Sequence, residues 1–144
     1  MKKITVIYWS GSGNTKEMAE AVAAGAGSAG AEVALLAVDE ATAENVLTAD
    51  AVALGCPAMG DEVLEEGEME PFVTSVEGAG LNGKPIALFG SYDWGDGQWM
   101  REWDDRMKAC GGQLVAEGLI AKNFPDQAAL DNCKKLGEKL AAAV

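Results

Sequence analysis

Residues Ser10-Gly11-Ser12-Gly13-Asn14-Thr15 bring together three hydroxyls, one carboxamide and two glycines, with no acidic side chain among them. Hydroxyls and a carboxamide donate hydrogen bonds, and glycines let successive backbone N–H groups converge on one point. Chemistry of that kind suits a phosphate. The run before it, Ile4, Val6, Ile7, Tyr8 and Trp9 interrupted only by Thr5, reads as a buried strand. After it, Met18 and Val22 lie four apart among Ala19, Ala21, Ala23 and Ala24, a helical pattern. The six residues are therefore a strand-to-helix turn, and the helix adds partial positive charge at its N-terminus. Taken alone, such a turn serves equally well as a helix cap.

The other nucleotide motifs fail on spacing. A P-loop ends in Gly-Lys-Ser/Thr, whereas Gly13 is followed by Asn14 and Thr15. The dinucleotide fingerprint finds two glycines in Gly11 and Gly13 but Lys16 in its third place. A nucleophile elbow needs a glycine two residues before Ser12, where Ser10 stands. What remains is a cradle of neutral donors.

The elements that position this turn follow from the rest of the chain. At 144 residues it is long enough for one domain with a sizeable core and short for two, so one domain over residues 1–144 is expected. Twenty-three acidic residues against 11 basic give a net charge of −12, which argues against nucleic acid or an anionic membrane as partner. A basic protein is the natural partner, although a solvated acidic surface has the same composition. The absence of histidine removes the usual general base, the Ser-His-Asp triad and histidine metal sites. Cys56, Cys110 and Cys133 form no C-x-x-C pair and fit free thiols in a reducing cytosol. No stretch is long enough to span a membrane, and the N-terminus lacks a signal-peptide pattern, so a cytoplasmic location is expected.

Strand and helix patterns alternate to the end. Residues 32–38 read as a second strand, with Gly30 stopping the helix before it. Residues 39–48 are ambiguous, with a short helix around Val46 and Leu47, and residues 50–55 read as a third strand. A polar loop covers 56–67, after which Met69, Phe72, Val73 and Val76 share one helical face, with Pro71 in the first turn. Residues 85–90 form the fourth strand, and 91–97 a second glycine-bearing loop. Trp99, Trp103, Met107 and Cys110 make a helical stripe ended by Gly111-Gly112. Residues 113–120 read as one continuous fifth strand. Asp126 begins a last helix with Leu130, Cys133, Leu136 and Leu140 buried. The expectation is an α/β protein with a doubly wound parallel sheet covered on both faces.

In such folds ligands sit beyond the carboxyl ends of the strands. That gathers the loops 10–15, 56–62 and 91–97. The second places Met59 beside Gly60, and the third places Trp94 among Asp93, Gly95, Asp96 and Gly97. One such residue in a loop only closes the core edge. Two on converging loops facing a phosphate cradle suggest a slot for a flat ring with a phosphate tail. Aromatic stacking and sulfur–aromatic contact each add roughly 0.5–1.5 kcal/mol there.

Together Tyr8-Trp9-Ser10-Gly11-Ser12-Gly13-Asn14-Thr15, Gly55-Cys56-Pro57-Ala58-Met59-Gly60-Asp61-Glu62 and Phe89-Gly90-Ser91-Tyr92-Asp93-Trp94-Gly95-Asp96-Gly97 resemble the short-chain flavodoxins of anaerobic bacteria. The resemblance runs through the whole chain. It implies a five-stranded sheet of order 2-1-3-4-5, its fifth strand not split by an insertion, and non-covalently bound flavin mononucleotide (FMN). It further implies a low-potential one-electron carrier that shuttles mainly between semiquinone and hydroquinone and can replace ferredoxin. By the same resemblance Ser10, Gly11, Ser12, Gly13, Asn14 and Thr15 correspond to the phosphate loop, and Met59 and Trp94 to the residues that sandwich the isoalloxazine. Gly60 corresponds to the residue whose carbonyl meets flavin N5, followed by Asp61, and Glu62 to the acceptor for the N3 proton. Backbone groups near Ser91 and Asp93, with Tyr92 and Gly95 alongside, correspond to those at the pyrimidine end. Pro57, next to Ala58, stands where some members have a Ser, Asp93 where close members have Gly, and Ser12 where Thr is commoner.

Charge then bears on potential. One carboxylate about 6 Å from an anionic reduced flavin costs roughly 2–3 kcal/mol at an effective dielectric near 20, on the order of 100 mV. Asp61, Glu62, Asp93 and Asp96, if clustered, push the second couple down. In the segment Met59-Gly60-Asp61-Glu62, Gly60 takes the place where a type II′ turn needs φ > 0. A monomer with no substrate of its own, docking on redox proteins with basic faces, is expected. The rivals are an FMN-dependent reductase, which needs room for a second substrate above the flavin, and a receiver-type signalling module. The latter needs acidic residues after the first and third strands, where Trp9-Ser10 and Cys56 stand.

Overall fold

Runs of apolar residues form strands where both faces can be covered. In the computed structural model, which describes residues 2–144, β1 (Lys3–Tyr8) has four consecutive buried residues and β3 (Ala51–Gly55) is buried throughout. Around them run α1 (Asn14–Ser28), β2 (Glu32–Ala37), α2 (Ala43–Leu47), α3 (Met69–Ala79), β4 (Pro85–Tyr92), α4 (Gln98–Ala109), β5 (Gln113–Leu114), β6 (Leu119–Lys122) and α5 (Gln127–Ala142). The strands pair in parallel in the order β2-β1-β3-β4-β5, with β6 also on β4. The order that the resemblance implies stands, and the reversal falls between β1 and β3.

Two cores flank the sheet. On one side Ile4, Val6, Ala53 and Phe89 pack against Met18 and Val22 of α1 and Cys133, Leu136 and Leu140 of α5. On the other, Ile7, Leu54 and Leu88 meet Met69, Phe72 and Val76 of α3 and Trp99, Trp103 and Met107 of α4. The ambiguous stretch after β2 resolves into a single 3₁₀ turn, Val38–Glu40, and the short helix α2. Thr42 N–H donates to Asn45 Oδ1 at 2.8 Å and caps that helix.

The fifth strand differs from its expected form. Instead of a continuous run over 113–120, β5 pairs with the start of β4 and β6 with its end, Phe89↔Leu119 through Tyr92↔Lys122. Between them the chain bends over residues 115–118, where Gly118 N–H donates to Asp104 Oδ2 of α4 at 3.2 Å. That side chain takes a backbone donor that the strand ladder would otherwise use. No long insertion separates the two pieces.

Candidate functional site

Because all the strands run the same way, the loops leaving Tyr8, Gly55, Tyr92 and Lys122 emerge on one edge. Three of them bound a cavity of about 220 Å³, lined by Trp9, Gly11, Ser12, Asn14, Pro57, Ala58, Met59, Ser91, Tyr92 and Asp93. A neighbouring cavity of about 190 Å³ continues it past Met59 and Asp93 to Gly60, Glu62 and Trp94. One end offers hydroxyl, amide and backbone donors; the other offers a thioether and an indole that is 59% exposed. Ser10, Gly13, Thr15, Asp61 and Gly95 wall neither cavity.

The cradle is held from within and from behind. Ser10 Oγ accepts from the N–H groups of Gly13 at 3.1 Å and Lys16 at 3.3 Å. The Thr15 hydroxyl, read from the sequence as a free donor, is buried and shares a 3.0 Å hydrogen bond with the Ser91 hydroxyl. It ties the first loop to the end of β4. A roomier cleft, about 450 Å³, lies across Trp9 and borders Ser10, Gly13, Lys16, Asp39 and Glu68. Its size does not make it the better site. Two acids oppose one lysine there, and it lacks the paired Met59 and Trp94 walls.

Glu62 has a role that the sequence did not reveal. Its side chain is buried, and Oε1 accepts from the backbone N–H groups of Asp96 and Gly97, both at 3.1 Å. A Cβ on Gly95, at φ +92°, would lie against this carboxyl. The second and third loops are thus clamped together by one carboxylate oxygen. The expected four-residue turn is also longer: Met59 and Val63 exchange N–H···O bonds of 2.9 Å, closing a three-residue loop over Gly60, Asp61 and Glu62. Gly60 does have positive φ, +51°, and so does Glu62 at +56°. No neighbouring atom lies within 4 Å of where a Gly60 Cβ would sit.

The acids around the loops do different work. Asp61, Asp93 and Asp96 are exposed, and the last is paired with Arg101 at 3.0 Å, which offsets its charge. Glu65 caps the entry to α3, accepting from Gly67, Glu68 and Met69 N–H at 2.7–2.9 Å. Partial burial pushes its carboxyl up, but these three donors outweigh that and hold it below the usual range. Glu68 accepts from Trp9 Nε1 at 3.1 Å. Glu70, with Glu77, grips Arg106 of α4 at 2.8 Å, and the guanidinium holds the Glu70 carboxyl low. Among the described residues, Asp61 and Glu66 carry no side-chain hydrogen bond or ion pair. Cys56 runs under the site: Trp99 Nε1 donates to its carbonyl at 3.1 Å, and burial pushes its thiol up to about 12.

A doubly wound sheet, a neutral-donor turn after β1 and a two-walled slot at the switch point define a narrow class of proteins. The model of the flavodoxin family matches residues 6–137. The chain belongs to the flavodoxin family. It is 46% identical to the flavodoxin of Clostridium beijerinckii over 136 residues, covering 94% of this chain and 97% of that one. With the flavodoxin of Megasphaera elsdenii it shares 40% identity, covering 97% and 99%. The solution structure of the two-electron-reduced Megasphaera elsdenii flavodoxin superposes with a TM-score of 0.86 over 96% of this chain and 98% of that one. With family membership comes its function, the carriage of electrons on a bound flavin. Among the described residues no helix is long and apolar enough to cross a membrane.

Proposed function

We propose that the chain is a cytoplasmic, monomeric carrier of single electrons at low potential, holding FMN without a covalent bond, able to stand in for ferredoxin and lacking a substrate of its own. The observation that carries this reading is the continuous slot with neutral donors at one end and Met59 and Trp94 at the other. The donor set fits a phosphate monoester, and the walls fit a flat ring. When bound, the flavin supplies the one-electron chemistry.

The chain's own residues bind and tune it. Ser10, Gly11, Ser12, Gly13 and Asn14 hold the phosphate, with Thr15 bracing the turn through Ser91. Pro57, Ala58 and Tyr92 flank the slot. Met59 and Trp94 cover the two ring faces and keep water from them. Gly60 and Asp61 share a peptide whose carbonyl serves the ring nitrogen at N5, while Glu62 and the backbone of Ser91, Asp93 and Gly95 serve the pyrimidine end. One Glu62 oxygen is committed to the Asp96 and Gly97 amides, which leaves the other for a ring N–H. Glu62 and Asp93 border the slot, so negative charge added to the ring meets two carboxylates.

An anaerobic reductive titration followed by absorbance tests this. One FMN per chain and two resolved one-electron steps are expected, with NAD(P)H alone reducing the protein slowly. A colourless protein that takes up no FMN would sink the proposal, and rapid reduction by NAD(P)H would point to a reductase.

A further inference from the structure

Among the described residues six large apolar side chains are exposed: Leu35, Leu47, Val63, Trp94, Ile120 and Phe124. Single exposed hydrophobics are ordinary and call for no explanation. Four of these six, however, belong to the edge that carries the slot. Val63 closes the Gly60 loop, and Trp94 forms one wall. Ile120 lies in β6 with its Cδ1 against Gly97, whose N–H is held by Glu62. Phe124 follows β6, beside the loop that leaves β4 at Tyr92.

Phe124 stands out. It is the most exposed of the six, at 71%, yet its turn is pinned on both sides. Asn123, at φ +56°, donates its N–H to the Tyr92 carbonyl at 2.6 Å. Pro125 is buried, and Asp126 caps α5 by accepting from Ala129 N–H at 2.8 Å. An aromatic ring projecting from a rigid turn loses little freedom when a partner covers it. The slot-edge loops are acidic on balance: Asp61, Glu66, Asp93 and Asp126 are exposed against the exposed Lys122, on a chain of net charge −12.

We propose that Phe124, on the same edge as Ile120 and Trp94, is the apolar anchor of a docking face for a basic redox protein, one with a hydrophobic depression ringed by Lys and Arg. The acidic loops steer the encounter and the aromatic ring holds the complex. Charge complementarity selects this occupant over a second copy of the chain, whose equally acidic edge would repel it. Electron-transfer encounters bury little surface, so one well-placed ring carries a large share of the affinity. The inference rests on the electron-carrying function proposed above. Each productive encounter moves one electron from the reduced flavin to the partner's oxidised centre, with no bond made or broken.

The test uses FMN-loaded protein, reduced anaerobically with dithionite and mixed in stopped flow with a strongly basic ferric c-type cytochrome. Saturation with cytochrome gives an apparent Kd and a limiting rate across a range of salt. Phe124→Ser should raise the apparent Kd by about fivefold or more at every salt concentration, leaving the limiting rate and the salt slope as they were. Phe124→Leu should recover most of the affinity. Glu66→Gln should instead flatten the salt dependence. Equal affinity of the parent and Phe124→Ser would overturn the proposal. So would a parent that sediments as a dimer which Phe124→Ser dissociates. If the chain takes up no FMN, the electron-carrying function fails on its own. The docking face is then judged by calorimetry of the flavin-free chain with the same cytochrome, where a Phe124-dependent affinity supports it and its absence overturns it.

Discussion

Replacing Glu62 by Ala removes the side chain that joins the two loops facing each other across the slot. Its Oε1 accepts two backbone N–H bonds of 3.1 Å, from Asp96, which is exposed, and Gly97, which is buried. Water can replace the carboxylate at Asp96 but not readily at Gly97, so the loss is close to one charge-assisted bond, about 1.5–3 kcal/mol. At 1.36 kcal/mol per tenfold, the Gly97 amide should open about 10- to 100-fold more often. Amide hydrogen exchange read by NMR on flavin-free protein measures this directly and keeps any contact between Glu62 and flavin out of the result. Glu62→Gln retains a neutral acceptor and should accelerate exchange less. Asp61→Asn, a neutralisation next door without the clamp, should leave Gly97 alone. Unchanged Gly97 exchange in Glu62→Ala, or equal acceleration in Asp61→Asn, would refute the clamp.

Other consequences follow from the same geometry. Gly60→Ala meets no steric obstacle but must hold φ near +51°, a strain of roughly 1 kcal/mol; it should leave oxidised FMN binding nearly intact and lower the first couple by tens of millivolts, whereas equal shifts in both couples on potentiometric titration would count against a peptide that turns on reduction. Trp94→Ala should weaken FMN binding and restore flavin fluorescence, and unchanged emission would make the indole mere filler. The Glu65 and Glu70 carboxyls are held below the usual carboxylate range, so their stabilisation is complete above that range and is lost as pH falls through the lowered folded values; Arg106→Leu should remove the Glu70 share, seen as a shallower loss of thermal stability with acid. Burial pushes the Asp104 carboxyl up and leaves its Oδ1 without a partner. The folded state therefore bears a cost above the raised pKa that protonation relieves, and Asp104→Asn should raise the melting temperature slightly at pH 7 but not at pH 3.

Most of the scaffold was legible because its strands are apolar runs closed by glycine or proline, and its helices repeat at three and four residues. Local chemistry also pointed to the loops that bound the slot, since Gly11, Ser12, Asn14, Met59 and Trp94 stand out by type. Contacts distant in sequence stayed hidden. Nothing near Glu62 says that its carboxylate reaches amides more than thirty positions on, and nothing near Thr15 says that its hydroxyl meets Ser91. The split fifth strand was missed for the same reason. Val115 and Ala116 look like strand residues, and only Asp104, on another helix, reveals what holds the chain off the ladder as far as Gly118. Charge counting misled as well. Of the six acids between Asp61 and Glu70, Glu65, Glu68 and Glu70 are engaged by the protein itself and are not free to meet a partner.

The central claim is a slot that recognises a flat ring and a phosphate together. Fluorescence titration of the flavin-free chain with FMN and with riboflavin, which lacks the phosphate, tests it most directly. One-to-one quenching by FMN is expected, with riboflavin weaker by about 100-fold or more, since several charge-assisted bonds of about 1.5–3 kcal/mol each are lost with the phosphate. Equal affinity for the two, or no quenching by either, would contradict the account.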